Sequence, residues 1–72
     1  MKKIKKIKIK LNGKFKRINE NYKFLNLLND IKVPIKKVAI ELNQEILDKK
    51  KLSKIKLKNN DKIEIVHFIG GG

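Results

Sequence analysis

The residues most able to take part in chemistry stand at the carboxyl end, where His67-Phe68-Ile69 runs directly into Gly70-Gly71-Gly72. Three successive glycines make a thin tether with no side chains to obstruct a narrow channel. The carboxylate at the tip of Gly72 is therefore expected to be threaded into the active site of another protein. A carboxylate is a poor acyl donor until it bears a good leaving group, so the chemistry this end suggests is activation of an acyl group in trans. The glycines do not form a phosphate cradle of this chain's own, because such loops lie between a strand and the amino terminus of a helix.

Other constellations fail on the residue inventory. Cysteine is absent, threonine is absent, and Ser53 is the single serine, so a hydroxyl or thiol nucleophile paired with His67 has no supporting pattern. One histidine cannot build a metal site alone. The carboxylates Glu20, Asp30, Glu41, Glu45, Asp48, Asp61 and Glu64 fall in expected turns or on polar strand faces and read as solvated charge. A chain of 72 residues has room for one hydrophobic core. The expected organisation is one folded domain over residues 1–69 and a flexible glycine tail over residues 70–72.

The formal charge is +13, from 20 basic against 7 acidic side chains. Such a charge attracts polyanions. Yet all the basic residues but Arg17 are lysine, in a chain also crowded with isoleucine and asparagine, three residues that A and T alone can encode. Base-reading proteins lean on arginine forks and stacking aromatics, whereas Phe15, Tyr22, Phe24 and Phe68 are scattered. A nucleic-acid partner is not expected. The lysine-rich start is not followed by a consecutive apolar run, so neither a signal peptide nor a membrane span is read there, and the expected compartment is the cytoplasm.

The elements that must position the tail follow from periodicity. Ile7, Ile9 and Leu11 alternate with Lys8 and Lys10, the period of a half-buried strand. Asn12-Gly13 accepts positive φ at both central positions of a type I′ turn, so residues 14–18 return as the antiparallel partner. Phe24, Leu27, Leu28 and Ile31 place four apolar groups on one helical face. Asn21 is the expected cap, and Pro34 closes the region. Val38, Ile40 and Leu42 mark a third strand, Asn43-Gln44 a turn, and Ile46 and Leu47 a short fourth strand. Leu52, Ile55 and Leu57 fall in a lysine-rich connection, and a last strand covers residues 62–68. The order implies an α+β fold in which one mixed sheet wraps one helix. Ile7, Ile9, Leu11, Phe24, Leu28, Ile40, Ile63 and Ile65 are the expected shared core, with the lysines outside.

Strand parity then makes a statement about the surface. If Ile63 and Ile65 point inward, Glu64, Val66 and Phe68 point outward. An outward valine and phenylalanine beside the tail mark a docking surface, with Val66 and Phe68 as anchors and Ile69 leading the glycines into the partner. His67, on the inward parity at the strand's end, reads as a polar edge residue.

The segments IKLNGKF (residues 9–15), VAIELNQEI (38–46) and above all DKIEIVHFIGGG (61–72) resemble the ThiS-type sulfur carriers of thiamine biosynthesis, within the ubiquitin-like β-grasp proteins. The resemblance implies a mixed sheet of about five strands around one helix, with a flexible glycine tail. It implies a carrier rather than an enzyme, with no cofactor bound by this chain. In the implied cycle the Gly72 carboxylate attacks the α-phosphate of ATP on an E1-like, ThiF-type adenylating enzyme. Sulfur, drawn from cysteine through a desulfurase or related donor, then replaces AMP to give a C-terminal thiocarboxylate. A ThiG-type thiazole synthase takes that sulfur into the thiazole ring.

The departures from the family fall in turns. Where members commonly read N-G-E, this chain has Asn43-Gln44-Glu45; where they often read Pro-Arg, it has Asp48-Lys49; where they read D-G-D, it has Asn59-Asn60-Asp61. The strong positive charge is a further departure. Two alternatives keep their place: a carrier like the small subunit of molybdopterin synthase, which shares the fold and the Gly-Gly end, and a basic nucleic-acid-binding module, which charge alone supports.

Overall fold

The structure, a computed structural model, describes residues 5–68. Among the described residues five strands and one α-helix form, β1 (Lys6–Leu11), β2 (Lys14–Asn19), α1 (Phe24–Asp30), β3 (Val38–Leu42), β4 (Glu45–Ile46) and β5 (Lys62–His67), with short 3-10 helices at Ile35–Lys37 and Lys49–Lys54. The five strands make one mixed sheet in the order β2-β1-β5-β3-β4. Only the central β1–β5 pair is parallel; β1–β2, β3–β5 and β3–β4 are antiparallel.

Both hairpins turn on left-handed residues. Asn12 (φ 47°) and Gly13 (φ 82°) close the first, and Asn43 (φ 52°) and Gln44 (φ 72°) the second. Positive φ at both central positions matches the right-handed twist of the flanking strands. At the second turn Gln44 occupies a conformation that favours glycine, the residue common in the family there. Asn60 (φ 71°) does the same before β5.

The parallel ladder between β1 and β5 is short, with Lys10 opposite Lys62 and Leu11 opposite Ile63. Asparagine side chains lengthen it at both ends. At one end the Ile65 N–H donates to Asn12 Oδ1 (2.7 Å), while Asn12 Nδ2 reaches the Ile65 carbonyl at 3.4 Å. At the other, the Lys8 N–H donates to Asn59 Oδ1 (2.9 Å) and the Asn60 N–H to the Lys8 carbonyl (2.7 Å). Each asparagine thus supplies to a neighbouring strand what a backbone amide would have supplied.

The core is one cluster of Ile9, Ile18, Phe24, Leu27, Leu28, Val38, Ile40, Leu52, Leu57 and Ile63, with Ile7, Leu11 and Ile65 packed against it. Every expected core residue is there. Lys8 is exposed as expected, but Lys10 is half-buried. The lysine-rich connection contributes more than expected: Asp48 caps a 3-10 helix at Lys49–Lys54 by accepting from the Lys50 N–H, and Leu52 and Leu57 are both buried. The Phe24 N–H donates to the Ile55 carbonyl (2.9 Å) and the Leu57 N–H to the Tyr22 carbonyl (2.8 Å), tying this connection to the start of α1.

Four local expectations are corrected. Asn21 does not cap α1, because it sits at φ 62° in the preceding turn and the N-cap is Lys23, which makes no side-chain cap bond. The helix ends ahead of Pro34, where Lys32 turns left-handed (φ 57°) and the Val33 N–H returns to the Leu28 carbonyl (3.0 Å), a glycine-free version of the usual carboxyl-terminal cap. Asp61 is not solvated charge but the one buried acidic residue among those described. Its Oδ2 accepts from the Lys58 N–H (2.7 Å) and its Oδ1 from Asn43 Nδ2 (3.0 Å), which fixes the start of β5. The last strand stops at His67, one residue short of the expected end.

Two substitutions to glycine at left-handed turn positions should move stability in opposite directions. Gln44→Gly relieves the Cβ strain at φ 72° and is expected to raise the melting temperature by several degrees, on the order of 1 kcal/mol. Asn12→Gly keeps the turn but removes the side-chain bond to Ile65 and is expected to lower stability by about 1 kcal/mol. Thermal melts of both variants check the pair; a matching sign would show that the turn, not the seam, sets the effect.

Candidate functional site

The site is built on the outward side of β5 and its continuation. Inward-facing Ile63 is fully buried, Ile65 is half-buried and His67 is exposed, so burial fades along the strand and β5 runs out past the end of the core. This explains why His67 has the inward parity yet faces solvent. Phe68 leaves the strand but keeps its pairing, for its N–H donates to the Lys37 carbonyl at 3.0 Å. Ile69, Gly70, Gly71 and Gly72, expected to thread the partner, lie outside the described residues.

The outward positions are as parity requires. Val66 is 53% exposed and Phe68 64%, with Glu64 half-buried on the same face. Register adds their neighbours: Val66 lies opposite Ala39, Glu64 opposite Glu41, and Glu41 opposite Ile46. Ile46, 76% exposed, is thus a third large apolar group on this face. The sequence placed Ile46 on a strand, and its register against Glu41 is the signal that would have assigned it to the surface. The Lys49 ammonium stands 5.3 Å from the centre of the Phe68 ring. The result is a half-face on which apolar side chains surround two carboxylates, opposite the side that covers α1.

The clearest titration effect lies elsewhere: Tyr22 donates to the Asp30 carboxylate, and that hydrogen bond holds the phenol above its ordinary pKa. It ties the turn before α1 to the helix's last residue. Among the described residues no group of three His, Cys, Asp or Glu side chains is placed to hold a metal, and no helix is long and apolar enough to cross a membrane.

Comparison with known proteins decides the family. The sequence pattern of the ThiS family matches residues 9–72. The chain belongs to the ThiS family. It is a sulfur carrier of thiamine biosynthesis and not a catalyst. The sulfur carrier protein ThiS of Bacillus subtilis is 38% identical over 65 residues, covering 89% of this chain and 98% of that protein. The crystal structure of the thiamine biosynthesis protein ThiS from Geobacter metallireducens superposes with a TM-score of 0.80 at 30% identity, covering 92% of this chain and all of that one. The sheet and helix are therefore the ubiquitin-like β-grasp. The thiazole synthase of Paramagnetospirillum magneticum is 36% identical over 66 residues, which is 92% of this chain but only 20% of that protein.

Because Val66 and Phe68 are solvent-exposed, Val66→Asp and Phe68→Asp should each shift stability by no more than about 0.5 kcal/mol. Thermal denaturation checks this, and a large loss in either variant would place that side chain in the core.

Proposed function

We propose that this carrier works through the Gly72 carboxyl group, with residues 70–72 as the tether and Val66, Phe68 and Ile69 as the docking residues that bring it to the partner enzymes. A carboxylate oxygen of Gly72 attacks the α-phosphate of ATP on a ThiF-type adenylating enzyme, and pyrophosphate leaves. A terminal persulfide sulfur, supplied from cysteine by a desulfurase, then attacks the acyl carbon and expels AMP, and a thiol attacks the sulfur retained by the donor, breaking the acyl disulfide and leaving a disulfide on the donor side. The product is a thiocarboxylate, which a ThiG-type thiazole synthase uses as its sulfur source. The compartment that suits this traffic is the cytoplasm.

The observation that carries the reading is the outward cluster of Val66 and Phe68, which shortly precede the glycines in sequence, with Ile46 on the same face of the sheet. Exposed apolar groups clustered on a protein surface mark a partner site; Val66 lies on β5, Phe68 follows directly after it, and Ile46 faces the same way from β4. Among the described residues no glycine-rich loop joins a strand to the amino terminus of a helix, which agrees with activation by another protein. The match to one fifth of a thiazole synthase supports the second partner, since there a carrier-like segment and that enzyme share one polypeptide.

Intact-protein mass spectrometry of the chain from native cells tests the reading. Exchange of one carboxylate oxygen for sulfur adds about 16 Da. Deleting Gly72, or adding a residue after it that is not removed, should abolish ATP-dependent activation while leaving the circular dichroism spectrum unchanged. Activation retained in both variants would refute the role of the Gly72 carboxylate.

A further inference from the structure

The outward face of the sheet is divided in two. Beside the apolar and acidic half just described, the β2-β1 half presents Lys6, Lys8 and Lys10 from β1 and Phe15 and Arg17 from β2, with Lys62 of β5 next to them. Register sets like charges directly against one another: Lys8 lies opposite Arg17, and Lys10 opposite Lys62. Like charges in such cross-strand positions destabilise a sheet. Phe15, 67% exposed, stands between them, with the Lys8 ammonium 4.6 Å and the Lys10 ammonium 5.5 Å from its ring centre.

Nucleotide bias accounts for the number of lysines but not for this placement. None of the seven carboxylates in the chain lies on β1 or β2, while Glu41 and Glu64 stand on the other half of the same face. Among the described residues this strip is therefore basic throughout, with no carboxylate set between the cations and the Phe15 ring at its centre. We propose that this β1-β2 strip is a second docking surface, which takes an acidic surface of the protein that activates the tail, and that its charge repulsion is relieved on binding. The proposal rests on the carrier reading above. The basic strip and the apolar half together give the docked chain one orientation, because reversing it would set the partner's carboxylates against Glu41 and Glu64. Those same carboxylates disfavour a nucleic-acid backbone on this face, and Phe15 alone gives the basic half no run of stacking platforms.

The test uses the full chain and the ThiF-type adenylating enzyme of the same organism, with association rates measured at about 50 mM and about 300 mM salt. The wild-type rate should fall about tenfold between the two, and the double variant Arg17→Glu/Lys62→Glu should be slower at low salt and lose most of that dependence. Arg17→Glu alone should melt a few degrees higher than wild type, because it pairs with Lys8 across the strands. Tighter folding with slower docking is a combination that misfolding cannot produce. Association rates indifferent to the double variant, or a melting temperature lowered by Arg17→Glu, would overturn the proposal. So would tight binding of a single-stranded RNA 20-mer at about 150 mM salt that the double variant abolishes, which would assign the strip to nucleic acid. If the enzyme fails to bind wild-type protein at either salt, the carrier partner itself is wrong, a result distinct from a complex that ignores the strip.

Discussion

The parallel seam between β1 and β5 is the constraint on which the remaining structure depends. It joins two antiparallel units, β1-β2 and β3-β4-β5, that are otherwise held together by the core beneath them. A ladder with two partnered residues is short for that task, and the asparagine side chains of residues 12 and 59 extend it by about one residue at each end. Asp61 then locks the seam to the second hairpin, since its carboxylate binds Asn43 while the Lys62 N–H donates to Asn43 Oδ1 at 2.9 Å. A shift of β5 by one residue would turn Ile63 outward and Val66 inward. The same hydrogen bonds that hold the sheet therefore decide which side chains its outward face presents.

Most of the architecture was legible because it rests on local pattern. Alternation along Ile7-Ile9-Leu11 and along Val38-Ile40-Leu42, the Asn12-Gly13 turn and the spacing of Phe24, Leu27, Leu28 and Ile31 each need only neighbouring residues to be read. The misses share a different cause. Asp61 looked like any carboxylate in a polar turn, and its burial follows from partners at residues 43 and 58 that only the closed sheet brings near. Asn21 resembled a helix cap by type and position, but the left-handed turn it occupies moves the helix start to Phe24. Leu52 and Leu57 sat among lysines, and a 3-10 helix was needed to bring them to the core.

For the site, parity along β5 carried the sequence reading as far as Val66 and Phe68, which are exposed as it required. Ile46 escaped because a two-residue strand has too little alternation to define a face; only its pairing with Glu41 does so.

The asparagine and lysine enrichment that first looked like bias has been used by the fold in two different ways. Asparagine tolerates left-handed φ and offers an amide, so at residue 12 one side chain both shapes a turn and closes a seam, and at residue 43 another shapes a turn and holds Asp61. Lysine carries no amide, and on β1 Lys6, Lys8 and Lys10 lie on the face away from the core, where Lys6 Nζ donates to Asn19 Oδ1. A carrier must combine a body rigid enough to be recognised with an end free enough to enter successive active sites. Here the asparagines supply the rigidity from polar side chains instead of a larger core. That leaves the outward face of the sheet free of structural duty, and such a face can hold unrelieved charge and exposed apolar groups without loss of the fold.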